Sequence, residues 1–100
     1  MASARELTIS VIGLGHVGLP TALGLSELGH SVLGADSDRS KVERIASGEP
    51  PFHEPGLEVL LRKHLGTGNF QLQTELATAI REATVLFICV PTPEQEDGSV

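Results

Sequence analysis

The chain has 100 residues, of which 40% are hydrophobic and 20% are charged, a composition typical of a folded globular domain rather than a disordered one. Its formal net charge is −6 and its seven basic residues are scattered, which argues against nucleic acid as a partner, because phosphate backbones are bound by clustered lysine and arginine. It has no uninterrupted apolar stretch of about 20 residues, so no membrane span is expected, and its single cysteine cannot form an internal disulfide, which fits a reducing cytoplasm.

The first predicted elements are a strand, a helix and a second strand. Residues 7–12 alternate β-branched and polar side chains and are followed by Gly13, which indicates a buried strand. The apolar spacing of residues 16–28 predicts a helix, and Gly29 is placed to cap its end. Residues 31–35 form the second predicted strand.

Two helices and a short strand are predicted next. Residues 36–38 offer side chains suited to the N-cap of a second helix. Pro55 suits the first turn of a third helix, and Gly66 is placed to stop it. Residues 70–73 alternate as a short strand.

The last predicted elements are a helix over residues 76–82, with Thr74 as its N-cap, and a strand over residues 85–90. Because residues 85–90 are continuously apolar, that strand is expected to be central and buried on both faces. Strands that alternate with helices predict an α/β fold, a Rossmann-type parallel sheet with flanking helices. A doubly wound domain continues past a fourth strand, so we expect the first portion of a longer protein, with its sheet truncated there.

The segment between the first strand and the first helix matches the G-x-G-x-x-G pattern through Gly13, Gly15 and Gly18. In this pattern the first glycine permits the turn, the second lets the backbone approach a pyrophosphate, and the third lets the helix pack closely on the strand. The pyrophosphate lies at the helix N-terminus, where free N–H groups favour negative charge. The position between strand and helix makes the pattern specific.

Asp36 follows the second predicted strand, where a carboxylate accepts hydrogen bonds from the adenosine ribose of a dinucleotide. A carboxylate there repels a 2′-phosphate, which favours NAD over NADP, although Arg39 and Lys41 nearby leave NADP open. The alternative interpretation makes Asp36 an N-cap and the glycines an ordinary tight turn.

Four segments in order closely resemble the UDP-glucose/GDP-mannose dehydrogenase family: VIGLGHVGLP at 11–20, HEPGL at 53–57, AIREA at 79–83 and FICVPTP at 87–93. The resemblance implies a cytoplasmic enzyme of nucleotide-sugar metabolism and polysaccharide biosynthesis. Such an enzyme oxidises the C6 alcohol of a nucleotide sugar, here UDP-glucose first, to a carboxylate in two NAD-dependent steps. A cysteine nucleophile holds the aldehyde-level intermediate.

The resemblance also implies which residues bind NAD: the glycine loop, the acid and lysine that follow the second strand, and the end of the last strand. The set is Gly13, Leu14, Gly15, His16, Val17, Gly18, Asp36, Lys41, Val90, Pro91, Thr92 and Pro93. The family's nucleophile lies far downstream, so we expect no catalytic residue in the chain, which should be inactive alone. Residues 1–100 are then the N-terminal part of a dinucleotide-binding domain, and the substrate domain and the central dimerisation domain of a homo-oligomer lie outside them.

Several other residues invite a functional interpretation. His16 and His53 stand where many family members have tyrosine, and an ordinary substitution is the simpler explanation for both. Cys89 lies inside an apolar predicted strand, where a thiol usually behaves as an inert small hydrophobe. Glu54 either faces the cofactor crevice or favours the dipole of the third helix. The histidine spacing matches no metal motif, so no metal site is expected.

Two alternatives remain open at this point. One is another NAD-dependent dehydrogenase with a similar first domain, of the 6-phosphogluconate or 3-hydroxyacyl type. The other is a non-catalytic module that senses a nucleotide. A downstream cysteine with a nearby lysine and asparagine would exclude the first, and a reading frame that ends near Val100 would favour the second.

Overall fold

The computed structural model describes residues 7–90, in which a four-stranded sheet is flanked by helices. Its strands are β1 (Thr8–Ile12), β2 (Ser31–Ala35), β3 (Phe70–Leu72) and β4 (Val85–Ile88). Its helices are α1 (Gly18–Glu27), α2 (Arg39–Ala46), α3 (Leu57–Thr67) and α4 (Leu76–Glu82). The strand order is β3-β2-β1-β4 and every pairing is parallel, which confirms the predicted Rossmann-type α/β fold. No helix within residues 7–90 is both long enough and apolar enough to cross a bilayer.

Alternation along β1 places helices on both faces of the sheet. Ile9 and Val11 are buried on the face covered by α1 and α3. Ser10 and Ile12 face α4, and the buried Ser10 hydroxyl donates a hydrogen bond of 2.7 Å to the Ala79 carbonyl. Side chains that alternate in this way are expected of a strand with cover on both sides.

The larger core cluster is mostly aliphatic and has one aromatic residue, Phe70, at its β3 end. A Cβ atom on Gly34 of β2 would lie only 2.7 Å from the Phe70 ring, so the glycine makes room for it. The buried members of the cluster are Ile9, Val11, Leu14, Leu19, Ala22, Leu23, Val32, Ile45, Leu57, Leu61 and Phe70.

The predicted end of α3 is wrong by two residues. The helix continues through Gly66 and ends at Gly68, whose φ of +82° is left-handed and whose N–H donates to the His64 carbonyl at 3.1 Å. Both glycines follow the last apolar turn, and a helical glycine costs only about 1 kcal/mol, so Gly66 does not stop the helix.

The predicted cap of α4 is also wrong, although its bounds are confirmed. The N-cap is Glu75 rather than Thr74, and no side chain caps this helix. The Glu75 N–H instead donates to the side-chain oxygen of Gln73, in the preceding turn, at 3.1 Å.

The last strand differs most from its prediction. β4 is one of the two edge strands of the described sheet, and Val85, Leu86 and Phe87 each keep 37–38% of their surface exposed. The expectation of a central strand buried on both faces is therefore wrong for residues 7–90. The physical reason is that β4 pairs only with β1, while α4 packs mainly on β1 and β2.

Candidate functional site

The carboxyl ends of β1, β2 and β4 surround a cleft of about 750 Å³. Ligand sites in proteins commonly have volumes of about 300–1,000 Å³, and in open α/β sheets they lie at this edge. The cleft is lined by Ile12, Gly13, Gly15, His16, Val17, Asp36, Ser37, Asp38, Lys41, Leu76, Cys89 and Val90.

Two glycines fix the turn between β1 and α1. Gly13 has a left-handed φ of +96°, and its N–H donates to the Ala35 carbonyl at 2.8 Å. A Cβ atom on Gly13 would lie 2.8–2.9 Å from the backbone of Cys89 and Val90. A Cβ atom on Gly18 would lie 1.6 Å from the Gly13 carbonyl oxygen. Neither position accepts a larger residue without moving the loop.

Gly15 faces open space instead, since nothing lies within 4 Å of a Cβ atom built on it. The backbone N–H groups of Gly15, His16 and Val17 donate to no acceptor within residues 7–90. No side chain caps α1, and its first turn carries no acidic residue. Unused donors at the positive end of a helix dipole fit an anionic group that approaches the backbone closely, as a pyrophosphate does.

Asp36 is held at the end of β2 by three contacts. Its Oδ2 atom accepts from the Leu14 N–H at 2.8 Å and pairs with Lys41 Nζ at 3.3 Å. Its Oδ1 atom accepts from the Asp38 N–H at 2.8 Å. A carboxylate offers about four lone-pair positions, so one remains for a hydroxyl group in the cleft.

The charge of Asp36 is stabilised where it stands. Burial opposes ionisation, but the N–H groups of Leu14 and Asp38 and the ammonium of Lys41 outweigh it, and they hold the pKa of Asp36 below its ordinary value. The side chain is only 9% exposed. A largely buried, ionised acceptor therefore lies at the carboxyl end of β2.

Asp36 is not the N-cap of α2, so that part of the alternative interpretation is wrong. Asp38 caps the helix, because its Oδ1 atom accepts from the backbone N–H groups of Ser40 at 3.1 Å and Lys41 at 3.2 Å. The Lys41 N–H and the Ser40 hydroxyl lower the pKa of Asp38. Asp38 thus caps α2, whereas Asp36 accepts from the glycine loop and faces the cleft.

The structure brings most of the predicted binding residues to one cleft. Those that line it are Gly13, Gly15, His16, Val17, Asp36, Lys41 and Val90. Leu14 and Gly18 are buried behind the loop, where Leu14 fills the core and its N–H holds Asp36. Pro91, Thr92 and Pro93 lie outside the described residues.

Other lining residues were missed by the sequence analysis. Ser37 directly follows Asp36, and Leu76 begins α4 at the same edge of the sheet. The order of elements could have indicated Leu76. A helix that follows a strand of a parallel sheet begins at the carboxyl edge of the sheet, and Leu76 is the first residue of such a helix. Cys89 was expected inside the last strand but follows β4, where it is partly exposed and its N–H donates to the Ile12 carbonyl at 2.7 Å.

The segment before α3 lies beside this cleft and forms a second cavity of about 400 Å³. His53 and Glu54 line that second cavity, and Glu54 does not line the larger cleft. Phe52 connects the two, because its ring stacks on that of His16 with centroids 4.1 Å apart and planes inclined by 24°.

Residues 7–100 match the family model described as the UDP-glucose/GDP-mannose dehydrogenase family, NAD binding domain. The chain is 41% identical over 92 residues to UDP-glucose 6-dehydrogenase YwqF of Bacillus subtilis, covering 92% of this chain and 21% of that protein. It is 44% identical over 94 residues to a GDP-mannose 6-dehydrogenase of Pseudomonas syringae pv. tomato, covering 94% and 22%.

Solved structures agree with these relatives. A ternary complex of GDP-mannose dehydrogenase from Pseudomonas aeruginosa has a TM-score of 0.85 at 42% identity, over 91% of this chain and 21% of that one. A UDP-glucose dehydrogenase from Pyrobaculum islandicum has a TM-score of 0.89 at 38% identity, over 99% and 23%. The chain spans about a fifth of the length of these relatives.

Proposed function

Because the chain belongs to the UDP-glucose/GDP-mannose dehydrogenase family, we propose that it is the first portion of the NAD-binding domain of a nucleotide-sugar 6-dehydrogenase. The whole enzyme oxidises the C6 alcohol of UDP-glucose to the carboxylate in two NAD-dependent steps. The observation that carries this proposal is the single cleft shared by the unused N–H groups around Gly15 and the ionised Asp36. NAD is the family's cofactor, and it supplies the hydride acceptor when bound.

The residues present fit a dinucleotide. The N–H groups of Gly15, His16 and Val17 would hold the pyrophosphate, since the space above Gly15 is free. Asp36 would accept from the adenosine ribose through its remaining lone pair, and its charge favours NAD over NADP. Lys41 keeps the carboxylate oriented from the adenosine side of the cleft. Val90 lines the cleft after β4, and we propose, from the family resemblance, that Val90, Pro91, Thr92 and Pro93 bind NAD as well.

UDP-glucose is the first candidate substrate. It is supported by relatives named UDP-glucose 6-dehydrogenase in Bacillus subtilis and Pseudomonas aeruginosa, at 41% and 43% identity. GDP-mannose is the second candidate, because the Pseudomonas syringae relative of that name is 44% identical. Sugar recognition and the catalytic thiol are assigned to parts of the enzyme outside this chain. We also propose that the whole enzyme is a cytoplasmic homo-oligomer and that it supplies precursors for polysaccharide synthesis.

The test is an assay of NADH release by the intact gene product with limiting amounts of UDP-glucose or GDP-mannose. We expect two NADH per UDP-glucose, because an alcohol oxidised to a carboxylate gives up four electrons. One NADH per sugar would contradict the two-step scheme, and turnover of GDP-mannose alone would contradict the choice of substrate. The 100-residue chain assayed in parallel should bind NAD and turn over neither sugar.

A further inference from the structure

We propose that Phe52 is a positioning residue for His16, holding the imidazole at the rim of the cleft where it binds the diphosphate of the dinucleotide. This inference rests on the proposed NAD site. It assigns a function to the segment between α2 and α3. That segment is separate from the glycine loop and from Asp36, which the proposed function already uses. It also assigns His16 a role in binding, whereas the sequence alone favoured an ordinary replacement of tyrosine.

The contact is a stack of two rings with different surroundings. The His16 and Phe52 centroids are 4.1 Å apart, and the planes differ by 24°. Phe52 is half-buried and packs against the main core cluster, whereas His16 is exposed. The anchored ring therefore restrains the exposed one, and stacked aromatic pairs add stability beyond the area they bury.

The stack leaves the hydrogen-bonding atoms of His16 free. Imidazole nitrogens point outward in the plane of the ring, so a partner on the ring face does not occupy them. Within residues 7–90, His16 makes no side-chain hydrogen bond and no ion pair, while His64 has its Nε2 atom 2.6 Å from Glu27. His16 thus presents an unused donor beside the N–H groups of Gly15 and Val17.

The backbone before Phe52 is restricted as well. Pro50 and Pro51 precede it, and each proline ring fixes φ near −65° and constrains the residue before it. A restrained imidazole loses less freedom on binding than a mobile one, and this preorganisation increases affinity without adding a contact. The same pair of rings in a purely structural role would affect folding and leave NAD affinity unchanged.

The test is calorimetric titration of NAD into the intact gene product and a set of variants. Phe52→Leu keeps an apolar side chain against the core but removes the stack. We expect it to lower Tm modestly, to remain folded at the titration temperature, and to raise the Kd for NAD about 2- to 10-fold. Phe52→Tyr keeps the ring and should bind within about 2-fold of wild type. Val59→Ala is the matched control. Val59 is an apolar residue that lines the second cavity and is 72% exposed, and the substitution shortens its side chain.

Non-additivity separates positioning from packing. His16→Ala should weaken binding by about 10-fold, and Phe52→Leu added to it should change the Kd less than about 2-fold further, because the residue being positioned is gone. In the NMR spectrum, the imidazole protons of His16 should show an aromatic ring-current shift that disappears in Phe52→Leu.

Three outcomes would overturn the inference, in two distinguishable ways. Wild-type binding of NAD together with unchanged affinity in Phe52→Leu, or fully additive effects in the double variant, overturns this inference alone. A wild-type protein that fails to bind NAD overturns the proposed function and this inference with it.

Discussion

At the end of β2, Asp36 accepts hydrogen bonds from the N–H groups of Leu14 and Asp38 and pairs with Lys41, so one carboxylate ties the glycine loop to the start of α2. A substitution there acts on the loop as well as on any ligand. Asparagine keeps one oxygen acceptor without the charge, and alanine removes both, so the two variants report different properties.

Asp36→Ala should weaken NAD binding by about 10- to 100-fold, since hydrogen bonds to charged groups contribute about 1.5–3 kcal/mol each. Cys89→Ser, which alters the opposite wall of the cleft, should change the Kd less than about 2-fold because the thiol is assigned no contact with the cofactor. Calorimetric titration measures both. Equal effects of the two substitutions would contradict the assignment of Asp36.

The lowered pKa of Asp36 predicts how stability depends on pH. Its folded-state pKa lies below the ordinary value of 3.8. The ionised carboxylate therefore stabilises the fold above that value, and the stabilisation is lost as the pH falls through the lowered pKa. Between about pH 6 and about pH 3, the urea midpoint should fall less in Asp36→Asn than in wild type.

Part of this acid dependence should survive in the variant. Asp38 has a pKa lowered by the Lys41 N–H, and Glu27 has a pKa lowered chiefly by its hydrogen bond with His64. These groups remain when Asp36 is replaced. Identical pH dependence in wild type and Asp36→Asn would show that the Asp36 contacts add nothing to folding.

At the scale of elements, the junction of β1 and α1 contains two glycines with opposite surroundings. Gly18→Ala forces a Cβ atom against the Gly13 carbonyl and should destabilise the fold by more than about 2 kcal/mol. Gly15→Ala meets nothing within the protein, so its free energy of unfolding should stay within about 1 kcal/mol of wild type. Urea denaturation compares the pair, and equal destabilisation would contradict the described loop.

Local patterns predicted which elements form, and the three-dimensional contacts decided where they end. The strand 31–35 and the helix 76–82 have the predicted bounds, because apolar spacing and turn residues agree there. For α3, two glycines followed the last apolar turn, and only the backbone shows that Gly68 takes the left-handed conformation. Sequence alone could not separate them.

The site divides in the same way. The glycine loop and Asp36 were predictable because their spacing along the chain places them at one edge of a parallel sheet. The Leu14 contact to Asp36 and the stack of His16 on Phe52 were not, since each joins residues far apart in sequence. No periodicity or cap indicates such pairs.

At the scale of the whole molecule, β4 is an apolar strand at the edge of the described sheet. Exposed edge strands of this kind pair with other chains. The 100-residue chain should therefore self-associate as its concentration rises in sedimentation velocity, and Phe87→Lys should reduce the association. Val59→Lys, a change at an exposed position on α3 rather than on β4, is the control. A chain that stays monomeric, or equal effects of both changes, would contradict this expectation.

In the proposed function, the cleft at the carboxyl edge of the sheet binds NAD through the glycine loop. Calorimetric titration of NAD into wild type and Gly15→Ala tests it most directly, because the added methyl group occupies only the space assigned to the pyrophosphate. We expect wild type to bind NAD and Gly15→Ala, folded to the same stability, to bind it at least about 10-fold more weakly. Equal affinity in the two proteins, or no binding by wild type, would contradict it.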